Sequence, residues 1–203
     1  KYISATAAKH RTIDIENVTL KSGTKTLQSG FIGGVAFGAN AINIRNCTIE
    51  KGVVIGYDKQ QSYIGSFAGD FNGTMKNCVS YATVYGNQFV GGLVGMKGQS
   101  MGPCSIINSA FLGEIKATGQ RVGGIIGGGY IAPSAPLTPP ASVTNCYVAA
   151  DITGSTKVGG ICGAGYTIVN NCFYYGKITG SKDGAVYGVS DSGGDVNYYL
   201  DTC

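Results

Sequence analysis

The chain has 203 residues, of which 43% are hydrophobic, 13% are charged and 34 are glycine. This composition is too apolar for an intrinsically disordered chain and too rich in glycine for a helical bundle. The formal net charge of +4 is modest and the cations are dispersed, apart from Lys9, His10 and Arg11. We therefore expect no nucleic-acid partner. Since the sequence has no uninterrupted run of 18 apolar residues, we also expect no membrane insertion.

Two short units alternate along the chain. The first is an apolar residue, one or two glycines, two apolar residues and a glycine. Its copies lie at 31–38, 63–70, 89–96, 121–128 and 158–163, with a degenerate copy at 183–188. The second is an Asn that is usually followed by Cys, at positions 17, 46, 77, 108, 145, 171 and 197. Successive Asn residues are 29, 31, 31, 37, 26 and 26 residues apart. This self-similarity indicates a repeat protein.

Each repeat has the pattern of several short strands separated by turns. Residues 143–154 alternate apolar and polar side chains, are rich in β-branched residues and end in a Gly-Ser turn. We predict an all-β fold, a parallel β-helix (solenoid) of about six coils of 25–37 residues, in which each coil buries its inward residues on the next. Antiparallel blades or a sandwich are less natural, because Asn72-Gly73 and Asp183-Gly184 are the only hairpin-type pairs in the sequence.

The domain prediction is a single unit over residues 1–203, with residues 1–12 as an N-terminal cap or partial coil. The chain opens on Lys1 rather than on Met, and Val196–Asp201 starts a coil without a glycine unit after it. We interpret the chain as a fragment of a larger modular protein, whose neighbouring domains would be among its partners.

The repeated residues have physical roles in such a coil. Glycine accepts a positive φ at a corner, and on a stacked strand it lets a neighbouring backbone approach closely. Asn tolerates a left-handed backbone at corners, and its amide can bond the equivalent Asn above and below. We therefore predict a structural ladder formed by Asn46, Asn77, Asn108, Asn145, Asn171, Cys47, Cys78, Cys146 and Cys172.

The cysteines follow the repeat rather than a disulfide pattern. Four of the seven come directly after the repeating Asn, which favours small buried side chains stacked in a ladder. Neighbouring rungs lie about 4.8 Å apart, so a Cys47–Cys78 or Cys146–Cys172 bridge is conceivable, but parallel side chains give it a poor torsion. We expect reduced thiols. With one His and no CxxC pair, we expect no metal and no cofactor.

Insertions interrupt the repeat at two corners. One lies at 51–62, and two others, 96–103 and 129–141, fall at the same corner of successive coils. The segment 129–141 holds four of the five prolines and is expected to project from the coil. Insertions in repeat proteins often form the binding face, and exposed tyrosines can stack on a sugar ring or a protein partner. The candidate ligand-binding residues are Tyr130, Pro133, Pro136, Pro139, Tyr166 and Tyr174.

The glycine units resemble the GLUG repeat, which is named for Gly-Leu-any-Gly. The resemblance rests on FVGGLVG, RVGGIIG and VGGICG, which alternate with Asn-Cys strands, and it covers roughly residues 13–200. The copies at 63–70 and 183–188 depart from it, since Ser66 and Ala185 replace the second glycine. GLUG repeats are associated with secreted or surface-attached bacterial proteins, including adhesin-like proteins and the non-catalytic region of IgA-specific metalloendopeptidases. The resemblance implies an extracellular bacterial protein and carries over no catalytic residue.

The residues themselves offer little catalytic chemistry. A zinc protease would need HExxH, and the eleven acids are scattered at one or two per coil. We expect a non-enzymatic repeat module of a secreted or cell-surface protein with an adhesion or stalk role, whose partner is a host or bacterial surface glycan or protein. The alternatives are a carbohydrate-active β-helix enzyme of the polysaccharide lyase or hydrolase type, which needs paired carboxylates, and a carbohydrate-binding module.

Overall fold

The computed structural model describes residues 13–28, 42–98, 102–129, 139–190 and 197–199, and their regular elements are all short β-strands. Numbered in chain order, the first nine are β1 (Ile13–Glu16), β2 (Thr19–Leu20), β3 (Lys25–Thr26), β4 (Ile42–Arg45), β5 (Thr48–Ile49), β6 (Val54–Ile55), β7 (Ile64–Gly65), β8 (Ala68–Phe71) and β9 (Gly73–Lys76). The next nine are β10 (Val79–Ser80), β11 (Thr83–Gly86), β12 (Val90–Gly91), β13 (Val94–Lys97), β14 (Cys104–Ile107), β15 (Ala110–Phe111), β16 (Glu114–Ala117), β17 (Gln120–Gly123) and β18 (Ile126–Gly129). The last nine are β19 (Ala141–Thr144), β20 (Tyr147–Ala149), β21 (Asp151–Gly159), β22 (Cys162–Gly165), β23 (Thr167–Asn170), β24 (Phe173–Tyr175), β25 (Ile178–Gly184), β26 (Tyr187–Ser190) and β27 (Tyr198–Tyr199).

The strands stack into four sheets that the chain visits in turn. Sheet A has the order β1-β4-β9-β14-β19-β23, and sheet B has β2-β5-β10-β15-β20-β24-β27. Sheet C has β3-β6-β11-β16-β21-β17-β12-β7, with β25 also on β21, and sheet D has β26-β22-β18-β13-β8. Neighbouring strands are parallel and join equivalent positions of successive repeats. The prediction of an all-β parallel β-helix is confirmed.

The core is built from inward side chains that stack at equivalent positions. In sheet A, Ile44 pairs with Met75, Met75 with Ile106, and Ile106 with Val143, and all four are fully buried. Burying one such side chain stabilises the fold by about 1.5–3 kcal/mol. Since each coil covers the next, the coil-to-coil contacts are the main source of stability.

The glycine unit forms a strand of sheet C, a two-residue turn and a strand of sheet D. At Gly123 a Cβ atom would overlap the carbonyl oxygen of Ile126, and at Gly159 it would overlap that of Cys162. These two glycines are needed because two backbone segments touch there, as expected for stacked strands. Neither Gly123 nor Gly159 has a positive φ, whereas Gly52, Gly56 and Gly165 do.

The second glycine of the pair leaves room for a side chain from the opposite sheet. Gly124 faces Val148, whose Cγ1 would lie 2.7 Å from a Cβ at residue 124. Gly160 faces the ring of Tyr174 in the same way. The turn between sheets C and D therefore packs closely against sheet B, with a side chain on sheet B and none on the turn.

Some of the predicted features lie outside the described residues. These are the possible cap at 1–12, the glycine copy at 31–38 and most of the insertion at 129–141. The insertions at 96–103 and 129–141 leave from β13 and β18, which pair with each other, and return to β14 and β19, which also pair. Both therefore leave the coil between sheets D and A, and we call this place the insertion corner.

Candidate functional site

The repeating Asn residues form a chain of hydrogen bonds along one corner of the coil, between sheets A and B. Each amide Nδ2 donates to the Oδ1 of the Asn in the preceding coil: Asn77 to Asn46 at 3.1 Å, Asn108 to Asn77 at 3.5 Å, Asn145 to Asn108 at 3.2 Å and Asn171 to Asn145 at 2.7 Å. All five side chains are exposed. Their φ angles are between 48° and 55°, which is the left-handed region that Asn tolerates better than most residues. These hydrogen bonds therefore form a ladder of Asn side chains on the surface, which links successive coils.

The cysteine after each Asn turns inward. Cys47, Cys78, Cys146 and Cys172 are at most 2% exposed, and none of these four is in a disulfide. Each Sγ donates to the carbonyl oxygen two residues earlier, for example from Cys47 to Arg45 at 3.1 Å. Ser109 takes this position in the intervening coil and donates to Ile107 at 2.9 Å. The position therefore selects a small buried side chain that can also donate a hydrogen bond.

Burial affects the chemistry of these thiols. It raises the pKa of Cys78 to about 11 and that of Cys104, on sheet A, to about 12. A thiol with such a pKa is almost entirely protonated at neutral pH and is a poor nucleophile. The buried sulfur atoms therefore have a structural role.

The predicted ligand-binding residues are only partly brought together. Tyr130, Pro133 and Pro136 lie outside the described residues. Pro139 is exposed just before β19, and Tyr166 is 40% exposed between β22 and β23. The carbonyl oxygen of Tyr166 accepts the backbone N–H of Ala141 at 3.0 Å. Tyr166 and Pro139 are therefore at the insertion corner on neighbouring coils.

Tyr174 is not part of a tyrosine surface, and that expectation is wrong. Its side chain is 1% exposed and packs in the core beneath Gly160, with the hydroxyl 3.4 Å from the carbonyl oxygen of Ala150. The physical reason is strand alternation, since Cys172 and Tyr174 point to the same inner side of the chain. Tyr174 therefore cannot contact a ligand at the surface.

Aromatic side chains do occupy the outer face of sheet B near the last coils. The rings of Tyr147 and Phe173 are stacked with centroids 5.4 Å apart, and Tyr175 is 46% exposed on the same strand as Phe173. Tyr81 is 40% exposed just after β10 of this sheet. The outer face of sheet B therefore carries several large aromatic side chains in contact with solvent.

A second corner, between the two halves of sheet C, has a feature that the sequence did not suggest. The residue two positions before the first glycine of each described unit has a left-handed backbone, with φ between 51° and 63°. We call these five residues the corner column: Tyr63, Phe89, Arg121, Lys157 and Lys182. The rings of Tyr63 and Phe89 are stacked with centroids 5.1 Å apart, and the guanidinium of Arg121 lies 4.5 Å from the centroid of Phe89. A large aromatic or cationic residue at the start of successive units was the signal that could have identified the column.

Buried polar groups lie near the insertion corner. Asp70 is 6% exposed, Asn72 2% and Lys97 1%. Among the described residues, Asp70 Oδ1 and both amide atoms of Asn72 have no hydrogen-bond partner, and Gly98 lies against both side chains. Burial raises the pKa of Asp70 to about 7, although the positive charge of Lys97 and the backbone N–H of Phe71 act in the opposite direction. Burial also lowers the pKa of Lys97.

Within the described ranges, no cluster of three or more His, Cys, Asp or Glu side chains is placed to hold a metal ion. The same ranges contain no helix of the length and hydropathy that a membrane span requires.

Comparison with known proteins gives one match. A family model described as the GLUG motif matches residues 118–153. No curated protein and no solved structure matches the chain. The matched segment contains β17, the Gly123-Gly124 turn and β18, and it ends in β21 after the next Asn-Cys corner. Residues 118–153 are therefore a GLUG motif, one turn of a parallel β-helix in which the glycine pair brings two sheets into backbone contact.

Proposed function

We propose that the chain is a non-catalytic adhesive module of a secreted or cell-surface protein. The observation that carries the proposal is the presence of two stacked aromatic pairs, Tyr147 with Phe173 and Tyr63 with Phe89, in which Tyr147 and Tyr63 are exposed to solvent. Large aromatic rings contribute strongly to recognition because they bury much apolar area at a small cost in conformational entropy. Placed on a stack of coils, they present a regular surface to an extended partner such as a surface glycan.

The GLUG motif supports the extracellular part of the proposal, since it is a repeat module often found in extracellular proteins. Protease treatment of intact cells that produce the natural protein tests this part. An antibody against residues 42–98 should lose its signal when protease is added outside the cell. A signal that remains until the cells are lysed would contradict surface exposure.

Binding is tested with the purified chain on an array of neutral and acidic glycans. We expect retention on some glycans, and a weaker signal when Tyr147 and Phe173, or Tyr63, are replaced by Ser. A double change of Thr48→Ser and Val79→Ser, on the same face of sheet B, is the matched control. Absence of binding to every glycan and to host-cell surfaces would refute the adhesive role.

The carbohydrate-active enzyme is the alternative to exclude. It needs two carboxylates on either side of a bound sugar bond. Asp14 and Glu16 both lie near the guanidinium of Arg45, at 4.0 Å and 2.6 Å, and Glu114 pairs with Asp151 on a neighbouring strand. A reducing-sugar assay on the glycans that bind should show no release. Release that disappears in Asp14→Asn or Glu16→Gln would replace the adhesive proposal with an enzymatic one.

A further inference from the structure

The corner column differs from the Asn corner although both need the same backbone conformation. At the Asn corner each left-handed position is Asn, the side chain best suited to this conformation after glycine. At the corner column the residues are Tyr63, Phe89, Arg121, Lys157 and Lys182, which have no local means of relieving the strain. Phe89 is buried, but Tyr63, Arg121, Lys157 and Lys182 all reach solvent. Large side chains at these strained, solvent-accessible positions point to a role in a surface contact.

The three cations of the column stand on successive rungs. Val122 pairs with Val158, and Val158 pairs with Asp183, so the residues before them stack in the same order. Rungs of a β-sheet are about 4.8 Å apart, well inside the distance over which physiological salt screens charge. Like charges at this spacing repel one another, and an anion bound along the column would relieve the repulsion.

Ion pairs elsewhere in the described residues do not extend to this column. Lys21, Arg45 and Lys116 each have an acidic partner within 4.0 Å, whereas Arg121, Lys157 and Lys182 appear in no such pair. The neighbouring row in sheet C is uncharged and consists of Gln120, Thr156 and Ser181. Asp183 is the one acid directly beside the column in sequence. The charge of the column is therefore positive and available to a partner.

Aromatic rings at the other end of the column favour a sugar polymer. Tyr63 is 45% exposed, so one face of its stack with Phe89 is open to the apolar face of a sugar ring. The guanidinium of Arg121 lies over the ring of Phe89, and its N–H groups are the donors that can bind a carboxylate or sulfate. The column thus combines an aromatic platform with a row of cations along the rod axis.

We propose that the corner column binds a linear acidic polysaccharide that runs along the axis of the β-helix. Its anionic groups contact Arg121, Lys157 and Lys182, and a sugar ring stacks on Tyr63. The proposal rests on the adhesive function proposed above and names the class of partner and the surface that holds it.

Immobilised dextran sulfate and neutral dextran are suitable probes, because they share a sugar backbone and differ in charge. The whole chain should bind dextran sulfate, and dextran much more weakly. A triple variant with Arg121→Gln, Lys157→Gln and Lys182→Gln should weaken binding about tenfold or more, which corresponds to about 1.4 kcal/mol. The control triple of Lys51→Gln, Lys76→Gln and Lys177→Gln removes the same charge from exposed sites outside the column and should leave affinity within about twofold. Equal weakening by the two triples would overturn the proposal.

Two further measurements test the polysaccharide and the surface. The unmodified chain should bind dextran sulfate more tightly than a single-stranded DNA of matched charge. Tyr63→Ser should weaken binding to dextran sulfate and leave binding to the DNA unchanged. DNA binding that is as tight, with no effect of Tyr63→Ser on either ligand, would replace the polysaccharide with a general polyanion. If neutral glycans bind and dextran sulfate does not, this inference fails while the adhesive function stands. If no glycan or cell surface binds, the adhesive function itself fails.

Discussion

Gly160 lies directly against the ring of Tyr174, so that a Cβ atom at residue 160 would be 2.5 Å from Tyr174 Cγ. It would also overlap the carbonyl oxygen of Ala185 in the next coil. The glycine pair and the side chain two residues after the Cys are thus parts of one contact. The same contact recurs one coil earlier, between Gly124 and Val148.

Replacing Gly160 by Ala should destabilise the fold strongly. Overpacking a core costs about 1–3 kcal/mol, and more where backbone must move, as it must here. Gly23→Ala is the control. A Cβ at residue 23 would meet open space, so the only cost there is the left-handed φ of 85°. Urea unfolding followed by circular dichroism should give a clearly larger loss for Gly160→Ala. Equal losses would mean that the close contact at Gly160 costs no more than the backbone strain that Ala meets at residue 23.

Asn145→Ala should destabilise the chain by about 1–3 kcal/mol, since it removes two hydrogen bonds and places Ala in a left-handed conformation. Lys157→Ala should have little effect, because Lys and Ala tolerate the left-handed φ of 57° about equally badly. Asn145→Gly separates the two causes, since glycine keeps the backbone freedom and loses the amide. Equal melting temperatures for Asn145→Ala and Lys157→Ala would refute a stabilising ladder.

The buried thiols should be unreactive in the folded chain. A Cys203→Ser variant leaves six cysteines, all buried, and burial raises the pKa of Cys78 to about 11 and of Cys104 to about 12. An aromatic disulfide reagent at pH 8 should label none of the six before unfolding and all of them in denaturant. Adding a reductant should not change the melting temperature. Fast labelling without denaturant, or a lower melting temperature under reduction, would contradict buried and reduced thiols.

Asp70 should make the fold less stable as the pH rises from about 4 to about 7. Burial raises its pKa from 3.8 to about 7, so in this range the folded carboxyl holds a proton that the unfolded chain has lost. Stability then falls with pH by at most about 1.4 kcal/mol per unit, and the effect levels off above pH 7. Asp70→Asn should remove this fall. Lys97 and Cys104 are the other titratable groups that interact with the carboxyl, and both remain in the two chains.

Chemical denaturation of both chains at pH 4.5, 6 and 8 measures the difference in stability. The advantage of Asp70→Asn should grow between pH 4.5 and pH 8. A difference that stays constant would show that the carboxyl does not titrate as a buried group. A difference of opposite sign would show that Asp70 is stabilised as an anion by Lys97.

The coil architecture could be predicted from the sequence because glycine and Asn have few alternative roles. A recurring Asn at one position of a repeat indicates a left-handed corner, and Asn145 has that conformation. A small residue after it indicates an inward position, and Cys146 is 2% exposed. The alternation that starts at Cys172 also determines that Tyr174 points inward. That placement could have been predicted by extending the pattern two residues.

The second left-handed corner could not be predicted in the same way. Phe89, Arg121 and Lys157 are residues that seldom adopt a positive φ, so their identity gives no local signal of it. The buried group of Asp70 and Asn72 arises where one coil meets the next. That contact depends on the register between repeats of unequal length, which composition and spacing do not determine.

The Asn ladder has a direction. All four amide hydrogen bonds between Asn46 and Asn171 run from the later coil to the earlier one, so their dipoles add along the axis instead of cancelling. Turning one interior amide around would oppose N–H to N–H on one side and oxygen to oxygen on the other. The orientation of one amide therefore constrains that of its neighbours, and the rod has an electrically polar edge whose positive end points towards its first coil.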